Sequence, residues 1–200
     1  KEVIHREALE PSHHWLDAGS GQLGKVFLEV IGCDNIPNLD HGGHLGNKTD
    51  AYVTVVHEST VVKTDVIANC LSPRWPPWSQ RAFVLRMTHS SSQVFLAIND
   101  YDSGPDKHDV VGRVAVDILA LRPNTEYFLS YDIFNSDDFC TRKPRGSISV
   151  RVMIDIEDQR KMFLSGSLYR FLNPMHVSTK NKKDLRAVRY ATNGSEGDSY

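Results

Sequence analysis

The run Val94-Phe95-Leu96-Ala97-Ile98-Asn99-Asp100-Tyr101-Asp102-Ser103-Gly104-Pro105-Asp106-Lys107-His108-Asp109-Val110-Val111-Gly112-Arg113-Val114-Ala115-Val116 holds an apolar stretch, a polar loop and an alternating stretch in succession. Gly104 and Pro105 supply turn chemistry, so the pattern predicts two strands joined by an acidic loop. Asp100, Asp102, Asp106 and Asp109 crowd that loop. Asp100 and Asp102 are two apart at a strand end, where both can lean to the same side. Crowded carboxylates repel and raise one another's pKa unless a cation sits among them. A hard divalent cation with oxygen ligands relieves the repulsion, and calcium tolerates an irregular loop cage better than magnesium does. A solvated acidic turn has the same local composition, so the choice between them depends on the rest of the chain.

Outward from this loop, short apolar runs recur at strand length. Val26, Leu28 and Val30 alternate with Phe27, Glu29 and Ile31. Further strands are expected at 51–56, 60–66, 81–87, 126–134 and 147–156, with a helical turn at 117–121. Ser72-Pro73-Arg74-Trp75-Pro76-Pro77-Trp78 is a proline-rich crossing that cannot be a central strand. Seven or eight short strands with turns between them and no long helix predict an antiparallel β-sandwich. Loops of a sandwich gather at its two ends. Counting chain reversals from Ile31 puts Asp40–Asp50 and Asp100–Asp109 at the same end.

The totals narrow the function classes. Apolar content of 40% suffices for a core, and a formal net charge of -2 points to neither nucleic acid nor a strongly acidic partner. The three cysteines form no even framework and no Cys-x-x-Cys, which fits a reduced compartment and a cytoplasmic setting. No apolar run reaches the length of a spanning helix. The chain opens at Lys1 without a signal-peptide pattern and reads as a piece of a longer protein. His13-His14 has no third ligand in view, and His41-Gly42-Gly43-His44 lacks both the extra ligands of zinc and a nucleophile elbow. The glycosylation-type triplets at Asn47 and Asn193 are read as accidental. No catalytic constellation is visible, so the chain is read as a binding module and not an enzyme.

The ordered motifs resemble the C2 domain, the calcium- and phospholipid-binding module of protein kinase C and the synaptotagmins. Leu28-Glu29-Val30-Ile31-Gly32-Cys33-Asp34-Asn35-Ile36-Pro37 is similar to the family's first strand and the turn after it. Thr49-Asp50-Ala51-Tyr52-Val53, Leu71-Ser72-Pro73-Arg74-Trp75 and Asp100 to Gly112 are similar to three later motifs, in the family's order. The resemblance covers about Gly24 to Glu157. It implies an all-β, eight-stranded antiparallel Greek-key sandwich, of the type II permuted topology because the last strand is 147–156 and the lead-in shows no strand pattern. It also implies calcium ligands at Asp40, Asp50, Asp100, Asp102 and Asp109, with Asp106 where some members add an oxygen. The loop from Asp40 to Asp50 is longer than is usual, and that from Asp102 to Asp109 carries one extra residue.

The domain organisation expected from this begins with a lead-in at 1–23, whose Trp15 and Leu16 dock on the adjoining domain. A C2 domain at 24–157 comes next, then a partly helical, basic tail at 158–200 leading toward a following region. Leu164, Leu168, Phe171 and Leu172 stand at helical spacing in that tail, ahead of Lys180, Lys182, Lys183, Arg186 and Arg189. The resemblance implies a calcium-dependent module that binds anionic phospholipid and targets a larger protein to the membrane as a peripheral, cytoplasmic component. Loop-tip contacts with the membrane are expected from Leu45, Tyr101, Pro105 and His108. The alternative is a calcium-independent protein-interaction module on the same fold. A basic strand face of Lys63, Arg81 and Arg86 is expected to be a solvated surface only.

Overall fold

A computed structural model describes residues 6–40, 48–89, 92–102, 109–135, 143–158, 160 and 189–191. Ten strands run through them: β1 (Leu16–Ala18), β2 (Gly24–Asp34), β3 (Ala51–His57), β4 (Thr60–Lys63), β5 (Ala82–Met87), β6 (Val94–Asp100), β7 (Val110–Val116), β8 (Tyr127–Asp132), β9 (Ser147–Asp155) and β10 (Arg189–Ala191). A 3-10 turn at Ile118–Ala120 occupies the position where the sequence predicts helix. One sheet has the order β1-β5-β2-β9-β8-β10 and the other β4-β3-β6-β7. Without the two three-residue edge strands, each sheet is a four-stranded antiparallel half.

Period-two alternation explains why the halves stack. In β9 the buried residues are Ile148, Val150, Val152 and Ile154, each separated by a half-exposed one. Val26, Leu28, Phe83, Leu85 and these β9 residues meet Val53, Val55, Leu96, Ile98, Val114 and Val116 of the other sheet in one core. Residues i and i+2 of a strand share a face, so hydrophobic alternation alone selects which side turns inward. Trp75, fully buried, joins this core from the proline-rich crossing and donates its Nε1–H to the Asp65 carbonyl at 2.7 Å.

Three contacts bring the functional end of the sandwich together. Arg74 bonds the Cys33 carbonyl and the Asp34 carboxylate, so the end of β2 lies beside the crossing. Cys33 and Ile36 N–H groups donate to the Pro73 and Leu71 carbonyls at 2.9 Å each. Gly146, at φ 91°, lets β9 start against the Asp34 and Asn35 carbonyls, where a side chain would collide.

The lead-in differs from the sequence expectation. Leu16-Asp17-Ala18 is too short and too exposed to show periodicity, yet it forms β1 by parallel pairing with the edge of β5. The basic face differs as well. Arg81 is fully buried and so does not join Lys63 on a surface, while the partly exposed Arg86 is paired with Asp17 at 2.6 Å. In the tail, 189–191 pair antiparallel with β8, whereas the helical spacing at 164–172 lies outside the described residues. Among the described residues, no helix is long and apolar enough to cross a membrane.

At the opposite end, Glu58 turns the β3–β4 hairpin with φ 52° and accepts N–H bonds from Thr88 and His89 and the Ser92 hydroxyl. Burial raises its pKa, but these donors outweigh it and bring the carboxyl down to about 2. Next to it, His57 is 1% exposed with neither ring nitrogen hydrogen-bonded. Burial lowers its pKa against the opposing charge of Glu58. The folded chain therefore keeps His57 neutral, while the unfolded chain takes up a proton below about pH 6.5, so stability falls as pH drops through that value toward the depressed folded pKa. His57→Leu is expected to gain stability relative to the native chain, with a gap that widens between about pH 7.5 and about pH 5. Urea unfolding at the two pH values checks this, and a gap independent of pH would contradict it.

Candidate functional site

The register of β3 on β6 places the two acidic segments side by side. Ala51 is opposite Asp100, so Asp50 and Tyr101 are the first residues beyond the ladder. The Tyr101 N–H donates to the Asp50 carbonyl at 2.9 Å, and the Asp50 N–H donates to Asp100 Oδ1 at 2.7 Å. The Asp100 N–H in turn donates to the Asp109 carbonyl at 2.8 Å, which closes the base of the third loop. A register shift between Ile98 and Asn99 in the β6–β7 pairing falls immediately before Asp100. Bulges of this kind increase local twist and re-aim the residues after them.

Thr49 holds residues 37–39 to the same place. It is fully buried, accepts the Leu39 N–H on Oγ1 at 3.0 Å and donates to the Pro37 carbonyl at 2.9 Å. Its own N–H donates to Asn38 Oδ1 at 3.1 Å. Residues 37–39 are thereby fastened beside Asp50, which brings Asp40 to the cluster. Asn69 secures the other side. Its N–H donates to Asp50 Oδ1 at 2.6 Å while its Oδ1 accepts the Lys48 N–H at 3.2 Å, from a backbone at φ 54°. Sequence reasoning missed Thr49 and Asn69 as supports. A threonine before the strand aspartate, and an asparagine suited to a left-handed turn, were the available signals.

The electrostatics record the convergence. Asp100 is 2% exposed, and burial first, then the charges of Asp40 and Asp102, hold its carboxyl above the ordinary value. The Asp50 N–H and Thr49 pull it the other way without prevailing. An ionised Asp100 thus disfavours the fold at neutral pH, and a proton or a nearby cation relieves it. Tyr101, 45% exposed, lies edge-on to Tyr52 with ring centroids 6.4 Å apart at the loop mouth.

The expected site residues divide into two groups. Asp40, Asp50, Asp100 and Asp102 meet at one end of the sandwich, and Asp109 reaches it through its backbone carbonyl. Leu45, Pro105, Asp106 and His108 lie outside the described residues. Among the described residues, no three His, Cys, Asp or Glu side chains are gathered tightly enough to hold a metal ion. The donor chemistry, all carboxylate oxygen around a charge that burial and its neighbours disfavour, fits a hard cation and not a soft one. The described carboxylates make an acidic cluster, not a closed cage.

A family model described as the C2 domain matches residues 24–133, just over half of the chain. The C2 domain-containing protein 5 of mouse and that of human are each 26% identical to this chain over 153 residues, covering 72% of it. The chain spans only 14% of the length of those relatives. Among solved structures, a C2 domain of plant extended synaptotagmin 1 superposes with a TM-score of 0.57 at 14% identity, over 70% of this chain and all of that one. The calcium-bound pair of C2 domains of extended synaptotagmin 2 gives 0.54 at 19% identity, over 68% of this chain and 47% of that one. At such identities these likenesses show the fold.

If Asp40 and Asp102 face Asp100, neutralising either one lowers the Asp100 pKa. Asp40→Asn and Asp102→Asn are expected to do so in a carboxyl-carbon NMR titration, while Asp155→Asn at the far end of the sandwich leaves Asp100 unmoved. An Asp100 titration unchanged by Asp40→Asn would mean that the first loop points elsewhere.

Proposed function

We propose that this chain, which belongs to the C2 domain family, is a calcium-dependent module that binds anionic phospholipid and brings a longer protein to the membrane surface. One observation carries the proposal: two acidic segments fifty residues apart converge on the buried carboxyl of Asp100, through the Asp50 N–H and the charges of Asp40 and Asp102. A calcium-bound neighbour of the same fold adds support.

Asp40, Asp50, Asp100, Asp102 and Asp109 would hold the ions, with Asp106 as a further oxygen donor. Bound calcium supplies positive charge and coordination positions open to lipid phosphate or carboxylate oxygens. In its absence the clustered carboxylates make this end negative, so an anionic bilayer repels it. Asp50 has one carboxylate oxygen committed to Asn69 and its N–H committed to Asp100, which fixes its orientation before any ligand arrives. Tyr101 is placed to touch the interface, and we assign Leu45, Pro105 and His108 to the same contact. These tips are only mildly apolar, so insertion is shallow and the electrostatic share of binding is large and weakened by salt. In the longer protein the module serves as a peripheral, cytoplasmic membrane anchor beside other domains, without catalysis of its own.

Asn Oδ1 can accept the Asp50 N–H as Asp100 does, so Asp100→Asn with Asp102→Asn preserves the fold. The double variant is expected to bind phosphatidylserine vesicles more than about tenfold more weakly in calcium, a loss of roughly 1.4 kcal/mol or more, with a calcium-free urea midpoint no lower than that of the native chain. Vesicle co-sedimentation checks this. Undiminished calcium-dependent binding would overturn the site. Vesicle binding by the native chain that ignores calcium would overturn the mechanism, and no vesicle binding at all would favour a protein-interaction module.

A further inference from the structure

The residues ahead of the matched family region are held by buried charge. Arg81 is fully buried on the β5 side of the sheet, and the guanidinium has five N–H donors and no way to lose its charge. Its Nε donates to Ser12 Oγ at 2.7 Å, its Nη1 to the Ala8 and Trp75 carbonyls at 2.7 and 2.6 Å, and its Nη2 to the Glu10 carbonyl. Three of these four acceptors belong to residues 8–12. Glu29, 2% exposed, lies 3.6 Å from Arg81 Nη2, accepts Arg151 Nη1 at 2.8 Å, and takes the Ser12 N–H on its other oxygen at 3.3 Å. Arg151 also donates to the Leu9 carbonyl. Two cations thus share the Glu29 carboxylate, Arg151 also pairs with Glu126 at 2.9 Å, and main-chain carbonyls of the lead-in take further guanidinium N–H donors.

The attachment continues toward β2. His13 N–H donates to the Pro77 carbonyl at 2.8 Å, and the Trp15 ring meets Phe27 edge-on at 5.8 Å. β1 then covers the β5 edge, with Asp17 bound by both Arg86 Nε and Nη2 at 2.8 and 2.6 Å. Gly21 lies so close to the Met87 carbonyl that a Cβ there would stand 1.9 Å from its oxygen.

We infer that the Arg81–Glu29–Arg151 cluster is a main-chain binding site whose occupant is the chain's own segment 8–15, so that the folded unit includes this segment and does not begin at 24. Removing the segment strands a buried guanidinium with three of its acceptors gone, a penalty far above that of losing an exposed ion pair. A deletion that extends through β1 would also bare the β5 edge, which is an open template for pairing with another chain. Recognition runs through carbonyls and N–H groups, so the backbone path of the segment matters more than its side chains, Ser12 excepted.

Amide hydrogen exchange on the full chain tests this. The Ser12 and His13 amides are expected to exchange at least about a hundredfold more slowly than in an unstructured peptide, with Leu9 and Glu10 less protected. Arg81→Lys keeps the charge but removes the fork, and is expected to speed Ser12 and His13 exchange roughly tenfold or more while the β2 and β9 amides stay protected. Should Arg81→Lys not fold, Ser12→Ala, half-buried and harmless to the core, is expected to loosen His13 in the same direction. Unprotected Ser12 and His13 amides in the native chain would overturn the inference. So would protection that neither substitution alters.

Discussion

The buried carboxyl of Asp100 is held against its own preference. The β3–β6 ladder ends with Ala51 opposite Asp100, and that pairing forces Asp50, Asp100 and Asp102 into one corner, to which Thr49 adds Asp40. The hydrogen bond from the Asp50 amide softens the repulsion without cancelling it. The hydrophobic core between the sheets therefore bears the electrostatic load of this end. A ligand that neutralises the cluster would stabilise the fold by an amount that grows with the logarithm of its concentration above its dissociation constant, because it binds the folded chain and has no such cluster in the unfolded one.

The two ends and the flank of the sandwich use polar groups differently. At the distal end, Glu58 is fully satisfied by loop N–H groups and acts as a cap for the 88–92 turn. On the flank, Glu29 is buried between two arginines and organises the lead-in. At the Asp100 end, by contrast, the charges of Asp40 and Asp102 bear on a buried carboxyl.

Much of the fold was legible because strand periodicity is a local signal. The alternation in 147–156 and the apolar run at 94–98 correspond to β9 and β6 within a residue or two, and the proline-rich crossing sits outside the central strands. The approach of Asp50 to Asp100 at one end was legible too, since counting reversals suffices once the sandwich is recognised. What could not be read depends on tertiary partners. Arg81 looks like any strand-face cation until Glu29 and the carbonyls of residues 8 and 10 are brought to it. Leu16-Asp17-Ala18 has no period of its own and becomes a strand only because the β5 edge is there to pair with. Thr49 and Asn69 act through a few hydrogen bonds each, which leave no pattern in a lone sequence.

Calorimetric titration of the full chain with calcium, run with and without phosphatidylserine vesicles, tests the central claim most directly. Linked binding requires that each ligand tighten the other by the same factor. The account predicts calcium binding to the free protein that becomes markedly tighter when anionic vesicles are present. Calcium affinity that is immeasurable in both conditions, or identical in the two, would contradict it.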